Sequence, residues 1–308
     1  MNTIPAKTLI AAHKDLSWFA TDYNMNIYKG CCHGCIYCDS RSDCYRISDF
    51  DTVRAKENAL AILQEELRRK QRSVNLANLS YVNTKAGVIA TGSMSDPYNP
   101  YEERYELTRG ALELINTYHF GVAIATKSAL ITRDIDILNK IRSHSPVLCK
   151  ITITAFNDEL SQKLEPGVHV SSKRFQAIRQ LSEEGIFTGI LMMPLLPYLT
   201  DTPENILSII HEAKDCGARF IYPLFGLSLR SGQREYFYDR LDTLFPGSGL
   251  KKLYCRLYGS SYECHSPRAK ELAALFTAEC QKLGILYRME DIIKAYRNGY
   301  EYQQLSFF

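Results

Sequence analysis

An α/β fold is what this sequence predicts, and three observations predict it. Short apolar runs of strand length alternate with amphipathic stretches whose apolar residues recur at helical spacing. The runs are apolar throughout, as in strands covered on both faces, so they read as parallel. The alternation repeats six times between about residues 24 and 225. This order predicts a (β/α)6 partial barrel. Periodicity alone leaves open a doubly wound sheet, which shares the alternation.

The elements follow in order. Residues 1–22 form a leader. Asn24–Tyr28 is a short strand running into a Cys-rich loop, Cys31-Cys32-His33-Gly34-Cys35-Ile36-Tyr37-Cys38. Asp51-Thr52 reads as a helix start, followed by Ala59, Leu60, Leu63 and Leu67 on one face. The basic run from Arg68 to Arg72 is read as a solvated last helical turn. Gly87–Thr91 is the second strand, and the turn-forming stretch Gly92–Pro100 follows it. Ala111, Leu112, Ile115 and Tyr118 mark the next helix, and Gly121–Ala125 the third strand. Ile131, Ile135, Leu138 and Ile141 give the third helix, and Cys149–Thr154 the fourth strand. Phe175, Ile178 and Leu181 lie on a helix that Gly185 stops. Ile186–Met193 is the fifth strand. Thr202-Pro203 is an N-cap and N1 pair opening the helix of Ile206, Ile209, Ile210 and Ala213. Ala218–Tyr222 is the sixth strand. Beyond Ser231 the pattern is helical, at Tyr236–Phe245, Lys251–Tyr258 and Pro267–Leu283, with a break at Pro246–Gly249. The expected organisation is a leader (1–22), a core (23–230), a helical C-terminal extension (231–295) capping the open side or bottom, and a tail (296–308).

At 308 residues the chain is long enough to bury a large core. With 45% hydrophobic and 23% charged residues and no apolar signal core near Met1, it reads as soluble and cytoplasmic, with no membrane contact. A net charge of +3 permits a polyanionic partner without arguing for one. Ten cysteines with four crowded at 31–38 fit a metal centre in a reducing compartment; a disulfide framework suits neither the length nor the context.

Cys31, Cys35 and Cys38 stand in a C-x3-C-x2-C spacing. Thiolates select iron–sulfur clusters, zinc or copper(I). Closed zinc and iron–sulfur sites take four protein ligands, so three leave one metal position open for chemistry. Cys32 or Cys44 as a fourth ligand would give a zinc site instead.

The spacing, with Asn26–Gly30 before it and Gly34, Ile36 and Tyr37 within it, resembles the radical SAM superfamily, and within it the subfamily related to spore photoproduct lyase. The resemblance decides for the partial barrel. It implies a [4Fe–4S] cluster held by Cys31, Cys35 and Cys38, with S-adenosylmethionine on the fourth iron. The implied activity is reductive cleavage to a 5′-deoxyadenosyl radical that abstracts hydrogen, as in a lyase of DNA repair or a nucleic-acid modification enzyme. The implied electron donor is a flavodoxin or ferredoxin. Gly92, Ser93, Ser95 and Asp96 then follow the second strand where the methionine amino group is contacted, and Lys127 would pair with the ligand carboxylate. Thr152 and Thr154 alternate on the fourth strand and could reach the ribose or carboxylate, or simply line the interior. Glu165-Pro166 and Arg174 also match the subfamily, Arg174 as a second charge near the ligand. Met193, Pro194 and Pro197 would border the adenine, and Tyr37 is retained as a catalytic candidate.

The chain departs from the subfamily's namesake at two places. The cysteine that donates hydrogen there is Ser93 here, and the tyrosine after the last cluster cysteine is Asp39. Cys32 and Cys44 are replacement donors by proximity alone, and spore photoproduct is not the expected substrate. Finally, Gln304-Leu305-Ser306-Phe307-Phe308 resembles the pentapeptide that binds the bacterial sliding clamp. A competing function is therefore a DNA- or clamp-associated binding protein whose cluster, or zinc, is structural or redox-sensing.

Overall fold

The computed structural model describes residues 1–13, 17–77 and 87–300, with backbone alone over 72–77. Its centre is six parallel strands: β1 Tyr23–Met25, β2 Val88–Thr91, β3 Gly121–Thr126, β4 Val147–Thr152, β5 Thr188–Met192 and β6 Phe220–Pro223. They pair in chain order, each parallel to the next. The order never reverses. A doubly wound sheet requires a reversal, so that alternative is excluded.

The expected count of six strands is corrected to seven. Ile10–Ala12, assigned to the leader, pairs antiparallel with β1 and ends the sheet on that side. A three-residue strand with one buried side chain carries too little alternation to be read from sequence.

Five helices follow the strands: α1 Ala59–Ala77, α2 Leu107–Thr117, α3 Ile135–Arg142, α4 Ser171–Glu183 and α5 Pro203–Asp215. Their inward residues include Leu63, Leu67, Leu112, Ile115, Leu138, Ile141, Ile178, Leu181, Ile206 and Ile210, all buried in one core against the sheet. Thr202 caps α5 by accepting the Asn205 N–H, with Pro203 in the first turn. The first helix starts later than Asp51-Thr52. Arg54–Lys56 is instead a strand, paired parallel with Asn2–Ile4 and antiparallel with Tyr28–Lys29. That small sheet also shortens the first core strand.

Beyond β6 lie four further helices: α6 Gln233–Leu244, α7 Leu250–Tyr258, α8 Ala269–Leu283 and α9 Met289–Arg297. A short antiparallel pair, Gly226–Ser228 with Glu263–His265, lies among them. They do two jobs. Leu227, Phe237, Tyr238, Leu241 and Tyr254 form a second core with Cys35, Ile36 and Tyr37, over the Cys loop. Ile292 and Tyr296 of α9 join Phe19 in a third core with Val88, Ala123, Leu148 and Phe220 at the N-terminal ends of the strands. The extension thus packs both over the Cys loop and against the strands' N-terminal ends, where capping of the open side or bottom was expected. α8 packs on α5. The clamp-like pentapeptide lies outside the described residues. Among those described, no helix is long and apolar enough to cross a membrane.

Candidate active site

In parallel α/β folds, ligands gather at the C-terminal ends of the strands, where each strand hands its chain to a loop. Here those ends surround a cavity of about 400 Å³. Its wall includes Cys35, Tyr37, Cys38, Gly92, Ser93, Lys127, Thr152, Met193 and Pro194. Residues far apart in sequence are gathered because each ends a strand or follows one.

The Cys loop is held by backbone contacts. Gly30 has φ +79°, and a Cβ there would lie 2.3 Å from the Thr52 carbonyl oxygen. Only glycine lets the chain pass so close, which sets the Cys31 N–H 2.8 Å from the Phe50 carbonyl. The Ile36 N–H donates to the Leu164 carbonyl, and the Cys38 N–H to that of Cys35. All ten cysteines are free, so no disulfide competes for these thiols. Burial pushes the Cys35 and Cys38 thiols up, against the opposing pull of Lys127. Such thiols favour the thiolate once a positive centre sits against them.

Gly92 ends β2 with φ +94°, and a Cβ there would fall 1.9 Å from the Ala125 carbonyl oxygen. The chain leaving β2 can lie against β3 there only because it is glycine. Ser93 lines the cavity, with its hydroxyl 3.1 Å from Asn24 Oδ1. Burial pushes the Lys127 ammonium down, but Cys35, Glu165, Cys38 and Asp96 together hold it above the ordinary lysine value.

The remaining sequence candidates stand elsewhere. Ser95 is buried and donates to the Gly30 carbonyl at 2.6 Å. Asp96 accepts from the N–H groups of Tyr98 and Lys127 and from the Thr126 hydroxyl. Both tie loops together and neither lines the cavity. Arg174 is corrected more firmly. It is fully buried and outside the cavity wall, donating from every guanidinium nitrogen to the carbonyls of His169 and Thr152, to Ser161 and to Glu165. Glu165 also accepts from the Tyr37 hydroxyl. Burial pushes the Glu165 carboxyl up, yet Arg174 and Lys127 outweigh that and hold it below the usual value. The Tyr37 ring lines the cavity while its hydroxyl is committed to this buried pair. Thr152 lines the cavity, but Thr154 lies beyond the end of β4, buried, with its hydroxyl unpartnered. Pro197 is outside the wall, and its carbonyl accepts from Tyr254.

The replacement donors do not reach the site. Cys32 lines a separate cavity with Gly34, Asp51 and Tyr236. Cys44 is exposed, beside Ser42 and Arg230. Asp39 does line the main cavity, accepting from the Tyr45 hydroxyl and pairing with Arg230.

Sequence reasoning missed His13, Trp18, Asn24, Lys150, Leu191 and Ser228 in the wall. Lys150 had a readable signal: a lysine inside an otherwise apolar strand. His13 and Trp18 had none, since the leader's place in the sheet was not foreseen.

Among the described residues no three of His, Cys, Asp and Glu are grouped tightly enough for one metal ion. In a four-iron cluster each cysteine binds a different iron, and the one loop that carries Cys31, Cys35 and Cys38 brings Cys35 and Cys38 to the cavity wall beside Lys127.

The chain matches the radical SAM superfamily over residues 25–210 and belongs to it. It is 29% identical over 242 residues to an uncharacterized protein of Mycobacterium tuberculosis, covering 76% of this chain and 67% of that one. A Methanocaldococcus jannaschii protein, also uncharacterized, is 31% identical over 179 residues, or 58% of this chain and 62% of that one. Among solved structures, spore photoproduct lyase complexed with dinucleoside spore photoproduct superposes with a TM-score of 0.63 at 15% identity, covering 91% of this chain and 78% of that one. The radical S-adenosylmethionine methyltransferase TsrM from Kitasatospora setae reaches 0.53 at 12% identity, covering 84% and 50%. The protein is therefore a radical SAM enzyme, and its superfamily's cofactors are a [4Fe–4S] cluster and S-adenosylmethionine.

Proposed function

We propose that this enzyme begins a hydrogen abstraction on a nucleic-acid or nucleotide-related substrate, in DNA repair or base modification. When bound, its cofactors supply a 5′-deoxyadenosyl radical on one-electron reduction by a small donor such as a flavodoxin or ferredoxin. Cys31, Cys35 and Cys38 would hold three irons. The Lys127 ammonium would balance the methionine carboxylate. Gly92 would admit the amino group against bare backbone, and Thr152 would offer its hydroxyl to the ribose. Met193 and Pro194 would border the adenine. The Glu165–Arg174 pair would act by positioning, since it fixes the Tyr37 ring in the wall.

One observation carries this reading: Cys35, Cys38, Lys127 and Gly92 share one cavity at the C-terminal ends of parallel strands. The nucleic-acid part draws on the shared fold of spore photoproduct lyase complexed with dinucleoside spore photoproduct. Ser93 and Asp39 speak for a substrate other than that one, and with Cys32 and Cys44 outside the cavity no spare thiol stands ready to return hydrogen. We place the core at 10–230, with Ile10–Ala12 as its edge strand, and the capping extension at 231–297, to the end of α9.

The test is anaerobic reconstitution followed by chemical reduction. About four irons per chain and release of 5′-deoxyadenosine are expected. Alanine at Cys31, Cys35 or Cys38 should abolish release, whereas Cys32→Ala and Cys44→Ala should retain it. Release surviving loss of any one of the first three refutes the ligand set. Deuterium passing from labelled oligonucleotide into 5′-deoxyadenosine would establish the substrate class; transfer from none of the nucleic-acid probes would refute it.

A further inference from the structure

The floor of the cavity carries a charge with no counter-ion among the described residues. Leu148, Lys150 and Thr152 share one face of β4, by the two-residue period of a strand. The register partners of Lys150 are Ala125 on β3 and Gly189 on β5. These small neighbours leave its four-carbon stem room inside the sheet. Lys150 is only 3% exposed, yet it lines the cavity with Ala90 and Ala125. Its Nζ lies 4.5 Å from the centre of the Phe19 ring, part of the plug below. Among the described residues no carboxylate pairs with it and no acceptor receives its protons. Lys127, just beyond the end of β3, has Cys35, Glu165, Cys38 and Asp96 around it; the one neighbour that favours a charged Lys150 is Cys149. Burial accordingly pushes Lys150 down to about 8.

An unpaired ammonium in a protein interior is costly, and a ring face compensates it only in part. A methionine would fill the same volume at no such cost. The charge is explained if the chamber's occupant brings the missing anion. We infer that Lys150 anchors an oxyanion of the substrate, phosphate or carboxylate, seated on the cavity floor beneath the S-adenosylmethionine site. This inference rests on reading the cavity as the reaction chamber of a radical SAM enzyme.

The experiment titrates the full chain, both unloaded and reconstituted with cluster and S-adenosylmethionine. Its probes are inorganic phosphate, thymidine 5′-monophosphate, benzoate and uncharged thymidine. Wild type should bind at least one anionic probe, and the nucleotide about tenfold or more above thymidine if the oxyanion is a phosphate. Preference for benzoate over both phosphates would make it a carboxylate. Lys150→Met should weaken the preferred probe about tenfold or more, and Lys150→Arg should restore part of the loss. S-adenosylmethionine affinity should stay within about twofold in both variants. Misfolding is not expected to confuse the result, because Lys150→Met removes an unpaired buried charge, and its melting temperature should be no lower than wild type's. No binding of any anionic probe by wild type, or equal binding by Lys150→Met, overturns the inference. So does a parallel loss of S-adenosylmethionine affinity, which would assign Lys150 to the cofactor. Failure of the enzyme reading shows separately, as absence of 5′-deoxyadenosine from reconstituted wild type.

Discussion

At the scale of single residues, polar groups in this site divide between those facing the cavity and those binding the loops around it. Arg174 belongs to the second kind, with every guanidinium nitrogen engaged and its charge met by Glu165. Arg174→Met should therefore cost stability, about 3–5 kcal/mol, because it strands a buried carboxylate; a change under about 1 kcal/mol in denaturant unfolding would contradict the pairing. Lys150 gives the opposite sign. Its folded value lies near 8, below the ordinary lysine value of 10.5, so the unfolded chain holds the proton more tightly. The penalty is fully present below pH 8 and fades as pH rises from there toward 10.5. Lys150→Met in the unloaded protein should exceed wild type by about 3 kcal/mol near pH 6.5, and the gap should shrink by about pH 9.5. His13, Tyr37, Asp39, Lys127, Cys35, Cys38 and Cys149 also face or adjoin this region, but they are common to both proteins and cancel in the difference. A gap independent of pH would show that Lys150 is not a strained cation. The family resemblance, with the cysteine spacing and the strand ends, singled out Cys35, Cys38, Gly92, Ser93, Lys127 and Thr152, and these line the cavity. It could not separate Ser95, Asp96 and Arg174 from them: whether a polar side chain faces a ligand or a neighbouring loop depends on partners distant in sequence.

Among elements, those with a full period of apolar residues were legible and those of three residues were not. Leu138 and Ile141 of α3, or Ile206, Ile209 and Ile210 of α5, announce their faces without tertiary information. Ile10–Ala12, Arg54–Lys56 and Gly226–Ser228 do not, since their pairing is fixed by what lies beside them. Helix α9 is a related case. The sequence reading stops its last helix at Leu283 and misses it, and that its apolar face plugs the sheet's N-terminal ends with Phe19 is a tertiary fact. The Tyr296 hydroxyl donates to the Phe19 carbonyl at 2.6 Å, joining leader and α9 into one stopper. Ile292 is fully buried in it, so Ile292→Ala should cost about 2–5 kcal/mol and open apolar surface to a fluorescent hydrophobic dye. Unchanged stability would mean that α9 rests on the sheet without filling it.

Across the whole molecule, the cavity at the strands' C-terminal ends lies between the α9 stopper and the α6–α7 cover, and the cover also steadies the Cys loop. Tyr254 is fully buried, its ring 5.2 Å from that of Phe237 and its hydroxyl 2.7 Å from the Pro197 carbonyl beyond β5. Gln233 spans the remaining distance: its amide donates to the Tyr37 carbonyl at 3.0 Å and to the Ser228 carbonyl at 2.8 Å. One side chain thus ties the backbone between Cys35 and Cys38 to the antiparallel pair above it. Gln233→Ala leaves a buried carbonyl unpaired at a cost of about 1–3 kcal/mol, which lowers the melting temperature of a chain this long by only several degrees. The greater effect is expected where the freed carbonyl sits. A looser loop should surrender its iron sooner, so the reconstituted variant should lose cluster absorbance to a chelator several-fold faster than wild type. Cys32→Ala, which alters a residue facing the other cavity, serves as the control of unchanged rate. If the chelation rates of Gln233→Ala and wild type coincide, the Cys loop is rigid by its own backbone contacts with Phe50 and Leu164, and the cover only roofs the chamber.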